Sequence, residues 1–464
     1  MHLPKELLDS LKNVSGFNKE AFEKVHASGE QITSIRINSA KGTMVNGQCL
    51  PAGQAGSIGS PTQHSPLNIH IPWTEYGYYL RERPSFTFDP LFHAGCYYVQ
   101  EASSMFLEQA LKQTVDLSQP LKVLDLCAAP GGKSTHIQSL ISKESLLVSN
   151  EVIRSRANVL KDNIIKWGCN NVVITNNDPK DFSKLESYFD LIVVDAPCSG
   201  SGLFRRDKEA IAEWSLNNVA LCCQRQQRIL TDVWPALKKN GVLIYSTCSY
   251  SKEEDEDIVG WVSSEFRVQS LELRVDENWN IIESGGGYRF WPDKVKGEGL
   301  FMACFRKIDG EESLSFKTKN KKESANKKEM ELIEKWVNKR EQQFIKHANT
   351  VYAWPENSVN DINLLINHLH VIYSGTQVGE LMRDKLIPSH ALAMSKLFDD
   401  TISPIELDYN NAISFLQRKD LVINEKNTGW QIVTFQGQNL GWMNVLPNRI
   451  NNYYPKELRI LKDS

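Results

Sequence analysis

The chain has 464 residues, of which 41% are hydrophobic and 23% charged, and its formal net charge is −3 at pH 7. This is the composition of a folded globular protein with room for about two to four domains, and it excludes a disordered chain. The slightly acidic balance does not indicate a nucleic-acid binder, since such domains are usually basic, although local patches could still serve.

Targeting signals and metal motifs are missing from the sequence. No segment approaches the roughly 20 apolar residues that span a bilayer, and the start MHLPKELLDSLKNV lacks the basic and apolar parts of a signal peptide. We therefore expect a cytoplasmic protein with no membrane partner. The nine cysteines are an odd number with no CxxC pair, which favours free thiols and no metal site.

Residues 1–85 are predicted to form a small N-terminal α/β domain. Helical periodicity at Lys5–Leu11 and Lys19–Val25 precedes the strand-like segment ITSIRIN, which contains Arg36. A stretch rich in Gly, Pro and Ser then runs from Gly53 to Pro66 and predicts a loop.

Residues 86–307 alternate strand-like and helical segments. This alternation indicates βαβ units and a doubly wound, Rossmann-like α/β sheet. The seven predicted strands are Lys122–Leu126, Leu146–Ser149, Asn171–Thr175, Leu191–Asp195, Val242–Ser246, Tyr288–Trp291 and Gly299–Phe305. The sheet is therefore expected to be mixed, seven-stranded and complete by Lys307.

The remaining chain is predicted to contain a charged linker at 308–330, a helical connector at 331–374 and a β-rich domain at 375–464. KTKNKKESANKKEM indicates the linker, ELIEKWVNKREQQFIKH a helix, and WQIVTF and LGWMNVL two strands around the turn QGQN. Four aromatic residues either stack on bases or form the core of a small barrel, and we favour the core: Trp430, Trp442, Tyr453 and Tyr454.

The first strand of the sheet leads into the glycine loop CAAPGGK. Gly131 and Gly132 allow the backbone to approach a ligand closely, and the amides of the next helix point into the same space. Glu151 follows the next strand, where a carboxylate can accept both ribose hydroxyls of an adenosine, and Asp178 follows the third. Glu151 and Asp178 could instead be caps at the ends of their strands. The loop lacks GxGxxG and the P-loop pattern, which favours an adenosine without a pyrophosphate, and S-adenosylmethionine fits.

The predicted cofactor contacts comprise that loop and the acidic residues at the strand ends. They are Cys127, Ala128, Ala129, Pro130, Gly131, Gly132, Lys133, Glu151, Asp178 and Asp195.

Two cysteines follow two other strands of the predicted sheet, Cys198 in DAPCSG and Cys248 in YSTCSYS. One free cysteine at such a place is more often a buried structural residue. Two at corresponding strand ends, beside an adenosine-type loop, favour thiol chemistry, because a thiolate is a suitable nucleophile for conjugate addition.

The trio CAAPGGK, DAPCSGSG and STCSYSKEED resembles the Nop/Sun family of RNA cytosine-5 methyltransferases, in which a Pro-Cys motif precedes a Thr-Cys motif. The likeness extends to HAGCYYVQEASSM and RFWPDKVKGEGLFMACFRK, and the ending GWMNVLPNRINNYYPKELRI is similar to that of the F-type bacterial methyltransferases for ribosomal RNA. The resemblance implies a class I S-adenosylmethionine-dependent methyltransferase domain, an N-terminal RNA-binding cap and a C-terminal PUA-like RNA-binding domain. It also implies a monomer whose partner is RNA, most of all small-subunit ribosomal RNA.

By this resemblance, Cys248 attacks C6 of a cytosine, which makes C5 an enamine carbon that can take up a methyl group. Cys198 assists release of the product, and Asp195 contacts the N3/N4 edge of the base. Lys133 either orients the same edge, lowers the thiol pKa or faces solvent. Since the base must leave its stack, single strands or distorted loops are the expected substrates.

Three arginines are predicted RNA contacts. Arg205 and Arg206 follow the DAPCSGSG loop at the mouth of the site, where they suit phosphate and base contacts. Arg36 is a third candidate, unless an internal ion pair holds it.

Alternative functions differ in how well these motifs suit them. An amino-group methyltransferase would carry a [DN]PP[YF] loop where DAPC stands, and a DNA cytosine-5 enzyme would lack the Thr-Cys motif. A tRNA cytosine-5 methyltransferase remains open. A non-catalytic RNA-binding ribosome assembly factor is disfavoured, because Cys248, Cys198 and Asp195 are all present.

Overall fold

The computed structural model describes residues 3–45, 48–50, 67–310, 316, 323–338, 341–399, 401–421 and 428–462. The predicted loop between Gly53 and Pro66 lies outside the described residues, as do positions 311–315 and 317–322 of the predicted linker at 308–330. Within the described part of the chain, no helix combines the length and apolar character needed to cross a membrane.

The N-terminal region is a mixed α/β unit, as predicted, but it extends beyond the predicted boundary at residue 85, because residues 97–99 form an edge strand of its sheet. Its helices are α1 (Lys5–Ser10), α2 (Lys19–Ala27), α3 (Pro90–His93) and α4 (Leu107–Thr114), and its strands are β1 (Thr33–Ile37), β2 (Thr43–Val45), β3 (Gln48–Leu50), β4 (Leu67–His70), β5 (Gly77–Leu80) and β6 (Tyr97–Val99). Four of these strands form an antiparallel sheet in the order β4-β5-β1-β6. Asn18 caps α2 by accepting a hydrogen bond from the Ala21 amide.

The central region is a doubly wound sheet flanked by helices. Its strands are β7 (Lys122–Asp125), β8 (Leu146–Asn150), β9 (Val172–Thr175), β10 (Phe189–Asp195), β11 (Leu237–Thr247), β12 (Val268–Ser270), β13 (Ile282–Ser284), β14 (Gly287–Phe290) and β15 (Leu300–Lys307). Its helices are α5 (Gly132–Leu140), α6 (Arg154–Trp167), α7 (Glu209–Glu213), α8 (Leu216–Val233) and α9 (Glu256–Glu265). Strands β11-β10-β7-β8-β9 are parallel neighbours, and β13, β14 and β15 continue the sheet antiparallel beyond β11. The predicted Rossmann-like sheet is confirmed.

Both faces of this sheet are covered, which explains its continuous apolar strands. On β10, Leu191 and Val193 pack into one hydrophobic core while Ile192 and Val194 pack into the other. A strand that is covered on both faces has an apolar run throughout its length, and the sequence predicts such strands most directly.

The prediction that the sheet is complete by Lys307 is wrong. Among the described residues the sheet has ten strands rather than the predicted seven. Two of the additional strands, β12 and β13, precede Lys307, and the third, β19 (Val371–Ser374), pairs antiparallel with β9 at the far edge. This pairing joins segments far apart in the sequence and so leaves no local signal. The C-terminal part of the chain thereby contributes a strand to the central domain.

The predicted helical connector at 331–374 is also wrong in most of its length. The region contains the end of α10 (Lys327–Ile333), then β17 (Gln342–His347), β18 (Thr350–Pro355), α11 (Val359–His368) and β19. β16 (Glu323–Ser324) and the start of α10 lie in the predicted linker. QQFIKH becomes strand β17 because it pairs antiparallel with β18 and buries Phe344 and Ile345. Tertiary pairing overrides its helical propensity here.

The last part of the chain is rich in strands, as predicted, but the predicted boundary at residue 375 is wrong, because the strand that follows it pairs antiparallel with β18. It contains β20 (Thr376–Met382), β21 (Lys385–Pro388), α12 (His390–Met394), β22 (Pro404–Glu406), α13 (Tyr409–Gln417), β23 (Gly429–Phe435), β24 (Gln438–Leu446) and β25 (Arg449–Asn452). The predicted QGQN turn joins β23 to β24. Gln436 and Gly437 both have positive φ, 49° and 69°, as the tight turn of a hairpin requires.

The C-terminal domain shares a hydrophobic core with the N-terminal region. Ile35 and Tyr97 belong to the same buried cluster as Phe415, Leu440 and Tyr454. Trp442 is also buried, in the neighbouring cluster, so the core interpretation is confirmed for Trp442 and Tyr454. Trp430 and Tyr453 are half-buried beside that second cluster.

Candidate active site

The five parallel strands end at one edge of the sheet, and the predicted site residues meet there. The CAAPGGK loop follows β7, Glu151 follows β8, Asp178 lies beyond β9, Asp195 ends β10, and Cys248 follows β11. In an open parallel sheet this edge is where ligands bind.

The CAAPGGK loop is held in place by helix α6. The carbonyl of Ala129 accepts a hydrogen bond from Arg156 at 2.8 Å, and that of Pro130 accepts one from Asn163 at 2.8 Å. Gly131 has a φ of 113°, which a residue with a side chain rarely adopts. The loop therefore has a fixed backbone directly before the N-terminus of α5.

Glu151 combines a buried carboxylate with an apolar surrounding surface. Its Oε1 accepts a hydrogen bond from the amide of Ile153 at 2.9 Å, and Arg156 lies 3.5 Å from Oε2. The next two side chains, Val152 and Ile153, are about half exposed, at 56% and 49%. The position offers oxygen acceptors for hydroxyl groups beside a surface suited to a flat apolar ring.

Asp125 is a residue that the sequence argument missed. It ends β7 beneath the loop, where Oδ2 accepts a hydrogen bond from Ser134 and Oδ1 is buried without a hydrogen-bond partner among the described residues. Burial raises its pKa to about 7. A buried acceptor without a donor beside a glycine loop suits a ligand that carries positive charge. The only signal in the sequence is its place at the end of an apolar strand.

Asp178 has a structural role in this geometry. It caps the short helix that starts at Pro179 by accepting a hydrogen bond from the Lys180 amide, and it pairs with Arg228 at 3.3 Å. This is the capping alternative from the sequence, so a cofactor contact by Asp178 remains a prediction.

The two motif cysteines are brought together. The Sγ atoms of Cys198 and Cys248 lie 3.1 Å apart, within hydrogen-bond distance for sulfur. The hydrogen bond to Cys248, together with burial, raises the pKa of the Cys198 thiol well above its ordinary value. Either thiol can donate this hydrogen bond to the other.

A buried lysine and a carboxylate lie at the same edge. Lys133 Nζ is 2.8 Å from Asp195 Oδ2, and Asp195 Oδ1 accepts a hydrogen bond from Ser246 at 2.8 Å. Burial disfavours the charged lysine, but Asp195 and further negative groups outweigh it and raise the pKa of Lys133. Lys133 is thus a fixed cation, and it does not face solvent, because its side chain is only 12% exposed.

Two of the three arginines predicted to contact RNA are buried, and the third is exposed. Arg36 is buried and donates to Gln100 and Thr135, and Arg205 is buried and donates to two backbone carbonyls, those of Glu30 and Gly297. For these two the prediction of RNA contact is wrong, because both side chains are buried and donate to internal acceptors. Arg206 is exposed.

Metal ligands are not grouped in the described residues: no three or more His, Cys, Asp or Glu side chains there could together hold an ion.

Four family models match the chain in order. The N-terminal domain of the 16S rRNA methyltransferase RsmF matches residues 3–102, and the 16S rRNA methyltransferase RsmB/F matches 112–306. The first C-terminal domain of the RsmF rRNA methyltransferase matches 327–395, and the RsmF PUA domain matches 403–460.

Relatives resemble the chain over most of its length. It is 31% identical over 408 residues to ribosomal RNA small subunit methyltransferase F of Aeromonas salmonicida, covering 84% of each chain. It is 28% identical to the protein of the same name from Vibrio vulnificus, covering 99% of this chain and 98% of the relative.

Solved structures resemble about two thirds of the chain. A methyltransferase homologue from Pyrococcus horikoshii superposes with a TM-score of 0.51 and 26% identity, over 66% of this chain and all of the other. NSun6 of the same organism, solved with SFG, superposes with a TM-score of 0.54 and 20% identity, over 66% of this chain and 99% of that one.

Proposed function

The chain belongs to the RsmB/F family of 16S rRNA methyltransferases, and from that premise we propose that it methylates C5 of a cytosine in small-subunit ribosomal RNA. The observation that carries the proposal is the pair of thiols, Cys198 and Cys248, in contact at the ligand edge of a Rossmann-like sheet. The Lys133–Asp195 ion pair lies at the same edge.

The proposed cofactor is S-adenosylmethionine, which supplies the methyl group when bound. The CAAPGGK loop, from Cys127 to Lys133, would hold it, with Glu151 accepting the ribose hydroxyls. Exposed Val152 and Ile153 would cover the adenine ring, and the orphaned oxygen of Asp125 suits the positive charge of this ligand.

Cys248 is the proposed nucleophile. Its thiolate adds to C6 of the cytosine, so that C5 becomes an enamine carbon able to take up a methyl group. Loss of the C5 proton and cleavage of the bond between C6 and sulfur then restore the ring. Cys198 lies against the attacking sulfur and is placed to assist this release.

Asp195 and Lys133 are the proposed groups for the polar edge of the base. A carboxylate held by Lys133 and Ser246 can accept from the N3/N4 edge and stabilise the positive charge that develops there during attack. The fixed ammonium of Lys133 would either orient that edge or favour the thiolate of Cys248.

RNA recognition outside the cleft is assigned to three parts of the chain. We propose that the N-terminal cap at 1–85 and the PUA-like domain at 375–464 position the RNA, and that Arg206 contacts it at the mouth of the site. The match of residues 403–460 to the RsmF PUA domain supports the second of these assignments.

Bisulfite sequencing of total RNA from a deletion strain tests the proposed function. One cytosine in small-subunit ribosomal RNA should lose its methylation, and the purified protein with S-adenosylmethionine should restore it, on naked RNA or on the assembled ribosomal particle. Loss at a tRNA cytosine instead would show that tRNA is the substrate. No change at any cytosine would contradict the methyltransferase proposal and favour an assembly factor.

A further inference from the structure

A buried carboxylate lies behind the two cysteines. Glu254 is fully buried in the short turn Lys252–Glu254 that follows the Cys248 loop. Its backbone is fixed on both sides: its amide donates to the carbonyl of Ser251 at 3.1 Å, and its carbonyl accepts from the Tyr245 hydroxyl at 2.7 Å. The side chain therefore has a defined position.

The Glu254 carboxylate accepts four hydrogen bonds. Oε1 accepts from the amide of Ser199 at 2.8 Å and from Gln226 at 3.2 Å, and Oε2 accepts from the hydroxyls of Ser199 at 2.5 Å and Ser249 at 2.6 Å. Ser199 directly follows Cys198, and Ser249 directly follows Cys248. One carboxylate thus links the two loops at the residues adjacent to the thiols.

The hydrogen bonds to Glu254 matter more for the position of Cys198 than for that of Cys248. Cys248 directly follows the last residue of β11, in the middle of the central sheet, whereas Cys198 lies three residues beyond the end of β10 in a segment without regular structure. Beside Cys198, Gln226 also donates to the carbonyl of Pro197 at 3.1 Å. The Cys198 thiol therefore depends on Glu254 and its partners for its position.

The buried position of Glu254 disfavours the charged form of its carboxyl group. Burial raises the pKa of Glu254 above its ordinary value, although the hydrogen bonds from Ser199, Ser249 and Gln226 oppose the shift. A buried carboxylate is costly unless several donors satisfy it, and hydrogen bonds to a carboxylate are stronger and shorter than those to a neutral group. Such a group gives a firmer link between two loops than a neutral side chain.

We propose that Glu254 is a positioning residue that holds the Cys198 thiol against Cys248 so that product release can follow methyl transfer. The proposal rests on the proposed function for its catalytic consequence. Its geometric part, the distance between the two thiols, is independent of any RNA. Loss of Glu254 should therefore impair release more than attack.

Thiol crosslinking tests the geometric part. Diamide removes two electrons and two protons from a pair of thiols and leaves a disulfide, which peptide mapping identifies as Cys198–Cys248. We expect the Glu254→Gln variant to form this bond more slowly by about tenfold or more, since ångström displacements have effects of that order. Exposed Glu253 in the same turn offers the matched control, Glu253→Gln, with the wild-type rate expected. Equal or faster crosslinking in Glu254→Gln would overturn the proposal.

Kinetics with RNA test the catalytic part. In Glu254→Gln, we expect repeated turnover to fall by about tenfold or more and the covalent protein–RNA adduct to accumulate, while the first methyl transfer changes less. Affinity for S-adenosylmethionine should match that of the wild type, which a general loss of structure would not allow. Equal losses in methyl transfer and release would overturn the proposed role.

A second variant, Ser199→Ala, keeps the proposal testable if Glu254→Gln does not fold. Ser199→Ala removes one donor and keeps the carboxylate, so it should shift crosslinking and adduct lifetime in the same direction by a smaller factor. If wild-type protein methylates no RNA but the crosslinking difference is present, the proposed function fails and the geometric role of Glu254 stands. If methylation proceeds and neither variant alters crosslinking, only the role of Glu254 fails.

Discussion

The Sγ atoms of Cys198 and Cys248 lie 3.1 Å apart, although the two residues are 50 positions apart in the sequence. They are brought together because β10 and β11 are parallel neighbours, so that the loops leaving their carboxyl ends emerge side by side. The contact raises the pKa of Cys198 and keeps that thiol protonated.

The first prediction separates the roles of the two thiols. Cys248→Ala should abolish methylation and any covalent RNA adduct, because no enamine forms without addition at C6. Cys198→Ala should still allow attack and methyl transfer but leave the protein linked to RNA, as a slowly migrating band on a denaturing gel. An adduct trapped by Cys248→Ala and absent from Cys198→Ala would reverse the assignment.

The second prediction concerns cofactor binding. Wild-type protein should bind S-adenosylmethionine in the micromolar range, on the order of −7 to −8 kcal/mol. Glu151→Ala removes the charged acceptor for the ribose hydroxyls and should weaken binding by about tenfold or more, since a hydrogen bond to a charged group contributes about 1.5–3 kcal/mol. Calorimetry measures both affinities.

A matched control exists for the Glu151 variant. Glu144 is an exposed acidic residue that precedes β8, at the opposite end of that strand from Glu151. Glu144→Ala should leave cofactor affinity unchanged. Equal affinities for wild type and Glu151→Ala would show that Glu151 does not contact the ligand.

The third prediction concerns RNA affinity. Arg206→Ala should weaken RNA binding and reduce the slope of log K against log salt by about 1, as expected for loss of one phosphate contact. Arg267, exposed beyond the C-terminus of α9, provides the control variant Arg267→Ala. Filter binding at several salt concentrations gives both slopes, and an unchanged slope for Arg206→Ala would rule out the contact.

The fourth prediction is a pH dependence of stability. Burial raises the pKa of Glu298 from 4.5 to about 7, although Arg205 lies 3.6 Å away and opposes the shift. The protonated carboxyl is favoured in the folded state, so its stabilising contribution is complete below about pH 4.5 and is lost as pH rises through about 7. Glu298→Gln stays neutral and should become more stable than wild type as pH rises, by up to about 3 kcal/mol.

Urea denaturation at about pH 5 and pH 8.5, on either side of the Glu298 pKa, measures this difference. Glu283→Gln, at an exposed position on β13, should differ from wild type by the same amount at both pH values. A Glu298→Gln variant less stable than wild type at the higher pH would mean that the ion pair with Arg205 outweighs the cost of burying the charge.

The fifth prediction follows from the core that the two terminal regions share. Deleting the PUA-like domain would expose Ile35 and Tyr97 in the N-terminal region, which pack in one cluster with Phe415 and Tyr454. We therefore expect the truncated protein to melt at a lower temperature, with cleavage of the N-terminal region in limited proteolysis. Melting and proteolysis like those of the full chain would show that the N-terminal region is stable without this contact.

The sequence alone predicted the sheet and the edge at which the site lies. Runs such as LIVVD are apolar throughout because both faces of the sheet are covered, and the loops that follow parallel strands meet at one edge. The CAAPGGK loop, Asp195, Cys198 and Cys248 stand at the ends of such strands, and the carboxyl ends of parallel strands share one edge of the sheet.

Only the tertiary structure decided which charged residues are available to a ligand. Nothing in the sequence around Arg36 and Arg205 marks them as buried; their acceptors, such as Gln100 and Gly297, lie 64 and 92 positions away. Strand β19 and the bridging carboxylate of Glu254 escape prediction for the same reason. Burial, hydrogen-bond satisfaction and strand pairing depend on contacts between distant segments, whereas local patterns specify only the periodicity and the turns of each element.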